Sequence, residues 1–142
     1  MPATAIHAFL SGPAGLADTE VQKCFYELRR SVDQKGRPSS ITQGGIITVE
    51  IVSSDQDSGL AGWMVNSFQE EDGKIEFQDI NESTLKTVEF KKARCIGYSE
   101  RFDKTPDPSN PDKPAMTLTL TMSAEDITIS GATHKNNWDD KR

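Results

Sequence analysis

The stretch Met116-Thr117-Leu118-Thr119-Leu120-Thr121-Met122 alternates apolar and polar residues without interruption. Because successive side chains of a β-strand point to opposite faces, its four apolar side chains share one face and its three threonines the other. The branched threonine side chain also favours extended backbone. The stretch therefore predicts a half-buried β-strand. A turn at residues 123–126 and a second strand containing Ile127 and Ile129 are expected to follow.

Patterns of the same kind recur along most of the chain. Residues 45–53 carry apolar side chains on both faces, with Ile47 and Ile51 on one and Ile46 and Val52 on the other, so we expect both faces of this strand to be covered. Further strands are predicted at residues 6–10, 21–30, 74–79, 84–92 and 93–102, with Asp72-Gly73 as the turn before the third of them. About seven or eight short strands predict a mainly β fold, a small β-barrel or a two-sheet structure.

One short α-helix is predicted at residues 58–68. Its apolar residues recur at spacings of three and four, which places them along one face of a helix. Asp57 or Ser58 is a suitable N-cap, because the side-chain oxygen of either can accept a hydrogen bond from the first turn. The apolar stripe is expected to pack into the protein core and consists of Leu60, Trp63, Met64 and Phe68.

Two loops between the predicted strands are distinctive. The first combines basic residues with a glycine and a proline, and comprises Gln34, Lys35, Gly36, Arg37, Pro38, Ser39 and Ser40. The second, at residues 104–114, holds four of the seven prolines. Since proline cannot donate a hydrogen bond to a sheet, the second loop is expected to lie outside the sheet as an exposed excursion.

The length of the chain, 142 residues, fits a single domain over residues 1–142. Counting glycine but not tyrosine, roughly 41% of the residues are apolar, below the range of about 45–50% that is usual in globular domains. A core this lean is one reason to expect association with neighbours. The start of the chain lacks the pattern of a signal peptide, and no apolar run is long enough to cross a membrane. We therefore expect assembly in the cytoplasm and no membrane insertion.

The formal net charge is −6, which argues against nucleic acid as a partner, because affinity for phosphates comes from cationic side chains. The charge is unevenly spread. Four cations at residues 29–37 surround the single acid Asp33, whereas residues 55–82 hold eight acids and one lysine. Two interpretations remain open for these segments: two solvated surfaces, or complementary charge that is used in self-association.

No arrangement of residues in the sequence predicts a catalytic, metal or cofactor site. His7 and His134 lie far apart in the sequence, and neither belongs to a cluster with cysteine or carboxylate at ligand spacing. Cys24 and Cys95 fall in predicted strands, where free half-buried thiols are expected, and no neighbouring base is available to activate either of them. The sequence therefore predicts a structural or binding protein rather than an enzyme, with no cofactor and no metal.

Several short motifs occur in an order that is found in one protein family. They are Asp33-x-x-Gly36-Arg37-Pro38-Ser39-Ser40, Gly44-Gly45-x-Ile47, Trp63-Met64-Val65-Asn66, the strand from Met116 to Ala124, and Ala132-x-His134-x-x-Asn137-Trp138. Over residues 21–138 the chain resembles the hemolysin-coregulated protein (Hcp, TssD) family, the tube proteins of type VI secretion. Within that family it looks closest to a divergent branch that carries the Gly-Arg-Pro-Ser-Ser loop. The connection at residues 105–114 is longer than is usual in the family.

The resemblance implies a small, non-enzymatic β-barrel with one short helix on its side, in which six copies close into a ring and rings stack into a hollow tube. In such proteins the tube lies inside a contractile sheath and is capped by a spike. Contraction expels the tube together with secreted effectors, so secretion needs no signal peptide. Carried over by position, the loop at residues 34–42 would reach the next ring, with Arg37 and Pro38 as its tip.

Two alternatives keep the β-barrel. One is a tail-tube protein of a phage-like or extracellular contractile system, and the other is a monomeric barrel that binds a small ligand in a closed apolar cavity. The neighbouring genes would separate the first alternative from a type VI tube protein. The formation of rings would exclude the second.

Overall fold

The computed structural model describes residues 6–55, 58–136 and 138 of the chain. This described part contains seven strands and one α-helix, in the order β1 His7–Ser11, β2 Thr19–Tyr26, β3 Ile46–Val52, α1 Ser58–Val65, β4 Glu71–Gln78, β5 Thr84–Phe102, β6 Met116–Ile129 and β7 Ala132–Lys135. A short 3-10 turn at Pro13–Gly15 lies between β1 and β2. The predicted mainly β fold with one short helix is confirmed.

The strands form a closed barrel. Neighbours pair in antiparallel fashion in the order β3-β2-β1-β4-β5-β6. A further ladder between β3 and β6, from Ile46↔Ser123 to Val52↔Thr117, closes this order into a six-stranded barrel. β7 adds to β6 outside the closed ring of strands. The most regularly alternating stretch of the sequence therefore lies on the strand that completes the barrel.

Alternating apolar residues fill the interior of the barrel. The largest fully buried side chains of the strands are those of Leu10, Ile47, Val49, Ile51, Ile75, Phe90, Leu118, Leu120, Met122 and Ile127, and those of the helix are Leu60 and Trp63. Each such aliphatic or aromatic side chain contributes about 1.5–3 kcal/mol relative to an exposed position. The opposite face of β3 is not covered within the chain, contrary to the expectation from the sequence, because Ile46 is exposed and Val52 is only half-buried.

β6 continues through residues 123–126, where the sequence predicts a turn. Up to Ser123 the strand pairs with β3, and from Asp126 it pairs with β7, while β5 accompanies it on the other side. Ala124 and Glu125 are both buried, so the inward-facing side of β6 changes where it exchanges partners. The prediction of a turn is wrong because the ladder with β5 keeps these polar residues extended.

β5 is likewise one strand of 19 residues, where the sequence predicts two. At the expected boundary, Lys92 adopts a φ of +54° and its backbone N–H donates to Asp72 Oδ1 at 2.9 Å. The pair Asp72-Gly73 lies inside β4 at a shift of register between Glu71 and Gly73, and is a β-bulge rather than the predicted turn. In both places a local bend within a continuous strand replaces a chain reversal.

The helix packs on one side of the barrel, against β5 and the 3-10 turn. Leu60 and Trp63 are buried, and Met64 is half-buried with its Sδ 3.6 Å from Cys95 Sγ. Phe68 is not part of the buried stripe, contrary to the prediction, because the helix ends at Val65 and Phe68 is 77% exposed.

The chain turns directly after the helix, which explains the position of Phe68. The Asn66 N–H donates to the Trp63 carbonyl at 3.4 Å, and the Gln69 N–H donates to the Asn66 carbonyl at 3.2 Å. The indole Nε1–H of Trp63 donates to the Gln69 carbonyl at 3.0 Å and fixes this turn. Ser58 is the first helical residue, and Asp57, the other candidate N-cap, lies outside the described residues.

Candidate self-association surfaces

Residues 27–45, called the arm below, leave the barrel between β2 and β3. Two isolated antiparallel bridges, Arg29↔Gln43 and Val32↔Pro38, join its two limbs. Neither bridge is extended into a regular ladder within the described residues. The arm is therefore an irregular hairpin that prolongs β2 and β3 beyond the rim of the barrel.

A single carboxylate organises the tip of the arm. Asp33 accepts hydrogen bonds from the backbone N–H groups of Lys35 and Arg37 and from Arg37 Nε, each at 2.9 Å. These hydrogen bonds, led by that of the Arg37 backbone, lower the pKa of Asp33. Gly36, at a φ of +81°, permits the reversal of the chain, and its N–H donates to the Asp33 carbonyl at 3.0 Å. The tip is therefore preorganised, which lowers the entropy that docking would cost.

The structure brings the seven residues of the predicted loop together at this tip. The exposed ones are Gln34, Lys35, Gly36, Arg37, Pro38 and Ser39. Ser40 is half-buried, and its Oγ accepts a hydrogen bond from the Ser31 N–H at 2.9 Å, which joins the two limbs. That these residues form contacts between rings remains a prediction.

The arm also exposes apolar side chains, which the sequence does not predict. Ile41 is 84% exposed and Val32 is 63% exposed. At the base of the arm, Phe25 and Ile46 flank a surface groove of about 500 Å³. Apolar side chains grouped on one protrusion are typical of a protein–protein contact surface. Their spacing in an irregular hairpin follows no simple period, so no pattern in the sequence reveals them.

The root of the arm is fixed to the C-terminal part of the chain. The Ala124 N–H donates to the Gly45 carbonyl at 2.7 Å, and Asn136 Nδ2 donates to the carbonyls of Gly44 at 3.0 Å and Ala124 at 2.9 Å. The backbone N–H of Asn136 donates to the Glu125 carbonyl at 2.7 Å. The arm therefore leaves the barrel at the point where β6 exchanges β3 for β7.

Trp138 extends this anchor. Its backbone N–H donates to Glu125 Oε2 at 3.0 Å, and the guanidinium of Arg94 lies 5.0 Å from the centroid of its ring, a cation–π distance. Arg94 also pairs with Glu70 at 3.6 Å. Trp138 belongs to the last motif of the resemblance, and these contacts give it a structural role. Asn137 of the same motif lies outside the described residues.

One side of the barrel is a four-stranded sheet, called the outer sheet below, made of β2, β3, β6 and the second half of β5. β1 pairs with β2 only as far as Glu20, and β4 pairs with β5 only as far as Ala93. Beyond these residues, β2 and β5 have no ladder partner on their outer side among the described strands. β2 also contains a β-bulge between Val21 and Lys23. Edges of this kind can accept a strand from another chain.

The proline-rich loop, residues 103–115, joins β5 to β6 and is ordered by its own contacts. The Asp103 N–H donates to the Ala115 carbonyl at 2.7 Å and closes the loop at its base. The Asp103 carboxylate accepts a hydrogen bond from the Thr105 N–H at 3.0 Å and lies 3.2 Å from Lys113 Nζ. Lys113 Nζ also donates to the Thr105 carbonyl at 3.2 Å. The loop lies outside the sheet, where the sequence places it.

Asp103 should remain ionised in acid. Its hydrogen bond from the Thr105 N–H, followed by the contact with Lys113, lowers its pKa from 3.8 to about 2. Because the folded pKa lies below the unfolded one, ionisation stabilises the folded loop above about pH 4, and this contribution is lost as the pH falls from about 4 to 2. A titration of the side-chain carboxyl by ¹³C NMR should give a midpoint near 2, and the variant Lys113→Met should raise it. A midpoint near 4 in the native protein would contradict the observed contacts.

The acidic segment at residues 55–82 does not act as one free patch. The carboxylates of Glu71, Asp72, Glu76 and Asp79 each accept hydrogen bonds from within the chain. These bonds support the 3-10 turn, the β4 bulge and the turn between β4 and β5. This arrangement favours the interpretation of the segment as a solvated surface with structural roles over its interpretation as an acidic surface that binds a partner.

Neither a metal site nor a membrane-spanning helix is found in the described part of the chain. No group of three or more His, Cys, Asp or Glu side chains is placed to hold a metal ion there. The α-helix of that part, Ser58–Val65, is far shorter than the roughly 20 residues that cross a bilayer.

The two cysteines lie on opposite sides of the barrel. Cys24 is on β2 and Cys95 is on β5, with two strands between them in either direction around the barrel. This separation exceeds the reach of a disulfide within the folded subunit. Burial raises the pKa of Cys24 to about 11 and also raises that of Cys95. Both thiols are therefore protonated and weakly nucleophilic at neutral pH.

Comparison with known proteins identifies the family. A family model described as hemolysin coregulated protein Hcp (TssD) matches residues 5–139. Among solved structures, Hcp1 from Flavobacterium johnsoniae is 32% identical to the chain, with a TM-score of 0.79 over 92% of this chain and 99% of that chain. The chain therefore belongs to the Hcp (TssD) family, and the resemblance that its motifs indicate is confirmed.

More distant structures share the fold. Hcp1 from Salmonella typhimurium is 14% identical, with a TM-score of 0.64 over 92% of this chain and 91% of that chain. A chain of the PVC sheath-tube complex, an extracellular contractile injection system, is 13% identical, with a TM-score of 0.52 over 93% of this chain and 92% of that chain. At these identities the likeness shows the fold alone. A search of curated protein sequences gives no match.

Proposed function

We propose that the protein is a structural, non-enzymatic subunit of the inner tube of a type VI secretion apparatus. Six copies form a ring, and rings stack into a tube that is expelled together with effectors. Membership of the Hcp family supports this function. The observation that carries it is the presence in one subunit of a protruding, preorganised arm and of an outer sheet whose two edges are free of ladder partners among the described strands.

The two edges of the outer sheet favour a ring over a dimer. One edge belongs to β2 and the other to the second half of β5, so a contact between them joins two different surfaces of identical subunits. Such a heterologous contact closes into a ring when the rotation that relates neighbouring subunits is a whole-number fraction of 360°. The number of six subunits is taken from the family. In such an assembly the exposed side chains of Phe25 and Ile46 would become buried.

The partners follow from the same proposal. The tube would assemble in the cytoplasm inside a sheath, be capped by a spike protein, and leave the cell with effectors in or on it. It would act without a cofactor, without nucleic acid and without insertion into a membrane. The net charge of −6 agrees with the exclusion of nucleic acid.

Electron microscopy and light scattering of the purified protein test the proposal directly. We expect rings of six subunits at micromolar concentration and short stacks of rings at higher concentration. A protein that stays monomeric over the whole range, without rings on the grid, would contradict the proposed function. The result would then favour the monomeric barrel.

The variant Arg37→Glu should weaken the stacking of rings and leave folding unchanged. Arg37 lies at the exposed tip of the arm, and its side chain pairs with Asp33 at 2.9 Å, so a glutamate there reverses the charge of the tip without opening the core. We expect at least a tenfold loss of stacked rings by light scattering, with a thermal midpoint within a few degrees of the native one. The matched control Lys86→Glu reverses an exposed charge on β5 and should stack normally. If both variants stacked equally well, the arm would not take part in the contact between rings.

A tail-tube protein of an extracellular contractile system is the alternative that shares the fold, since a chain of the PVC complex matches the barrel. The family model favours type VI secretion over it. The interior of the barrel counts against a ligand-binding monomer, because the strand residues Val49, Leu120 and Met122 are completely buried.

A further inference from the structure

The side chain of Asn136 joins three parts of the chain. Asn136 directly follows β7, and its Nδ2 donates to the Gly44 carbonyl of the arm at 3.0 Å and to the Ala124 carbonyl of β6 at 2.9 Å. Its Oδ1 lies 2.9 Å from Nε2 of His134, a residue of β7. One amide therefore links the root of the arm, β6 and β7.

These contacts fix which way the Asn136 amide faces. The carbonyl oxygens of Gly44 and Ala124 carry no hydrogen, so the amide atom that contacts both must be the nitrogen. The amide oxygen then faces His134 and can only accept, so Nε2 of His134 carries a hydrogen and donates it. His134 is half-buried and pairs with Ile127 of β6, so the sheet fixes its position.

We propose that Asn136 and His134 are positioning residues for assembly, which set the direction in which the arm leaves the barrel and thereby control the stacking of rings. The inference rests on the proposed function, in which the tip of the arm reaches the next ring. Both residues act at the root of the arm and not at its tip. Their loss is therefore expected to affect stacking and to spare the contacts within a ring.

The backbone at the root does not define a direction by itself. Gly44 and Gly45 join the arm to β3, and glycine adopts many backbone conformations at little cost. The Gly45 carbonyl accepts from the Ala124 N–H at 2.7 Å, and Asn136 holds the next residue outwards, Gly44. A Cβ on Gly44 would clash with the Leu28 side chain, so the opposite limb also packs closely there. These contacts hold two residues that could otherwise turn freely.

A small rotation at the root is magnified at the tip. Two isolated bridges join the limbs of the arm among the described residues, and no regular ladder stiffens it there. Arg37 at the tip lies eight residues before Gly45, which corresponds to roughly 25 Å of extended chain. A rotation of about 20° at the root would thus move the tip by roughly 9 Å. This displacement is more than twice the distance of about 4 Å over which an ion pair forms.

Four variants of the full-length protein test the inference. Asn136→Leu keeps the approximate size of the side chain and removes the donor to both carbonyls. His134→Leu removes the donor that orients the amide, whereas His134→Gln is the conservative rescue, since its side-chain amide can still donate to Asn136 Oδ1. Lys135→Ala is the matched control, because Lys135 lies between the two residues and its exposed ammonium pairs with Asp126 at 3.4 Å.

Electron microscopy counts the rings, and light scattering measures their stacks. At a concentration at which the native protein stacks, we expect about tenfold fewer stacked rings for Asn136→Leu and about threefold fewer for His134→Leu. The total number of rings should stay native in both. His134→Gln and Lys135→Ala should stack as the native protein does. A residue that only stabilises the fold would lower the numbers of rings and of stacks together.

Hydrogen exchange of the dissociated subunit gives a readout that does not depend on stacking. The Ala124 N–H, which donates to the Gly45 carbonyl, should exchange about tenfold faster in Asn136→Leu. The amide of Leu120, in the middle of the ladder between β3 and β6, should exchange at its native rate.

Two results would overturn the inference while the proposed function stands. One is native stacking of rings by Asn136→Leu, with native exchange at Ala124. The other is a loss of stacks in His134→Gln as large as in His134→Leu, which would show that the hydrogen bond to Asn136 has no part in positioning. If the native protein forms no stacked rings, the proposed function fails and the inference fails with it.

Discussion

The variant Gly45→Ala should lose about 4 kcal/mol or more of unfolding free energy, a large fraction of the stability of a domain of this size. Gly45 adopts a φ of +101°, where an alanine is strained by about 1–3 kcal/mol. A Cβ there would also lie 2.5 Å from the Ala124 oxygen and 2.6 Å from Asn136 Nδ2. The clash displaces the hydrogen bonds that hold the root of the arm to β6.

Gly131→Ala is the matched control for this prediction. Gly131 adopts a φ of +86°, but a Cβ there would meet no atom within 4 Å. The variant Gly131→Ala therefore measures the cost of backbone strain without a steric clash. We expect a loss of about 1–2 kcal/mol for this variant by urea denaturation at one fixed subunit concentration. Equal losses for Gly45→Ala and Gly131→Ala would mean that the close approach of the arm root to β6 adds nothing.

The variant Trp63→Ala should destabilise the protein by about 3–5 kcal/mol. Trp63 is completely buried between the helix and the barrel, and its removal leaves a cavity that the rigid strands cannot close. The variant also removes the donor to the Gln69 carbonyl, which fixes the turn after the helix. Urea denaturation that is followed by far-ultraviolet circular dichroism measures the loss.

Phe68→Ala separates the two aromatic residues of the predicted stripe. Since Phe68 is exposed beyond the end of the helix, its truncation should change the free energy of unfolding by less than about 0.5 kcal/mol. A loss of unfolding free energy as large as that of Trp63→Ala would show that Phe68 is buried in the core. It would also contradict the end of the helix at Val65. A loss below about 1 kcal/mol for Trp63→Ala would contradict the burial of its ring.

The sequence predicts the class of fold because the alternation of apolar and polar residues indicates which side chains of each strand are buried. Leu118, Leu120 and Met122 share one face in the sequence and are all buried in the barrel. The exposed tip at Arg37 is also predicted, because glycine and proline with charged neighbours favour a solvated turn. These features depend on residues that are close together in the chain.

Features that depend on distant residues could not be predicted. Residues 123–126 have the composition of a turn, and the ladders with β3 and β5, both distant in the sequence, and with β7 keep them in a strand. The bulge at Asp72-Gly73 likewise depends on the carboxylate of Asp72 binding the backbone of Lys92, twenty residues away. The anchor of Asn136 on Gly44 joins parts of the chain that are 92 positions apart. Local propensity carries no information about such contacts.

The β-bulge between Val21 and Lys23 interrupts an edge strand that would otherwise be open to other chains. A flat, regular edge strand is a template on which other chains add strands without limit, and the product is a fibre of misfolded protein. The bulge puts the free edge of β2 out of register with such a strand, and the exposed, charged Lys23 lies at the bulge. Only an edge with a matching irregularity fits, so the bulge protects the free edge of β2 from unlimited addition of strands.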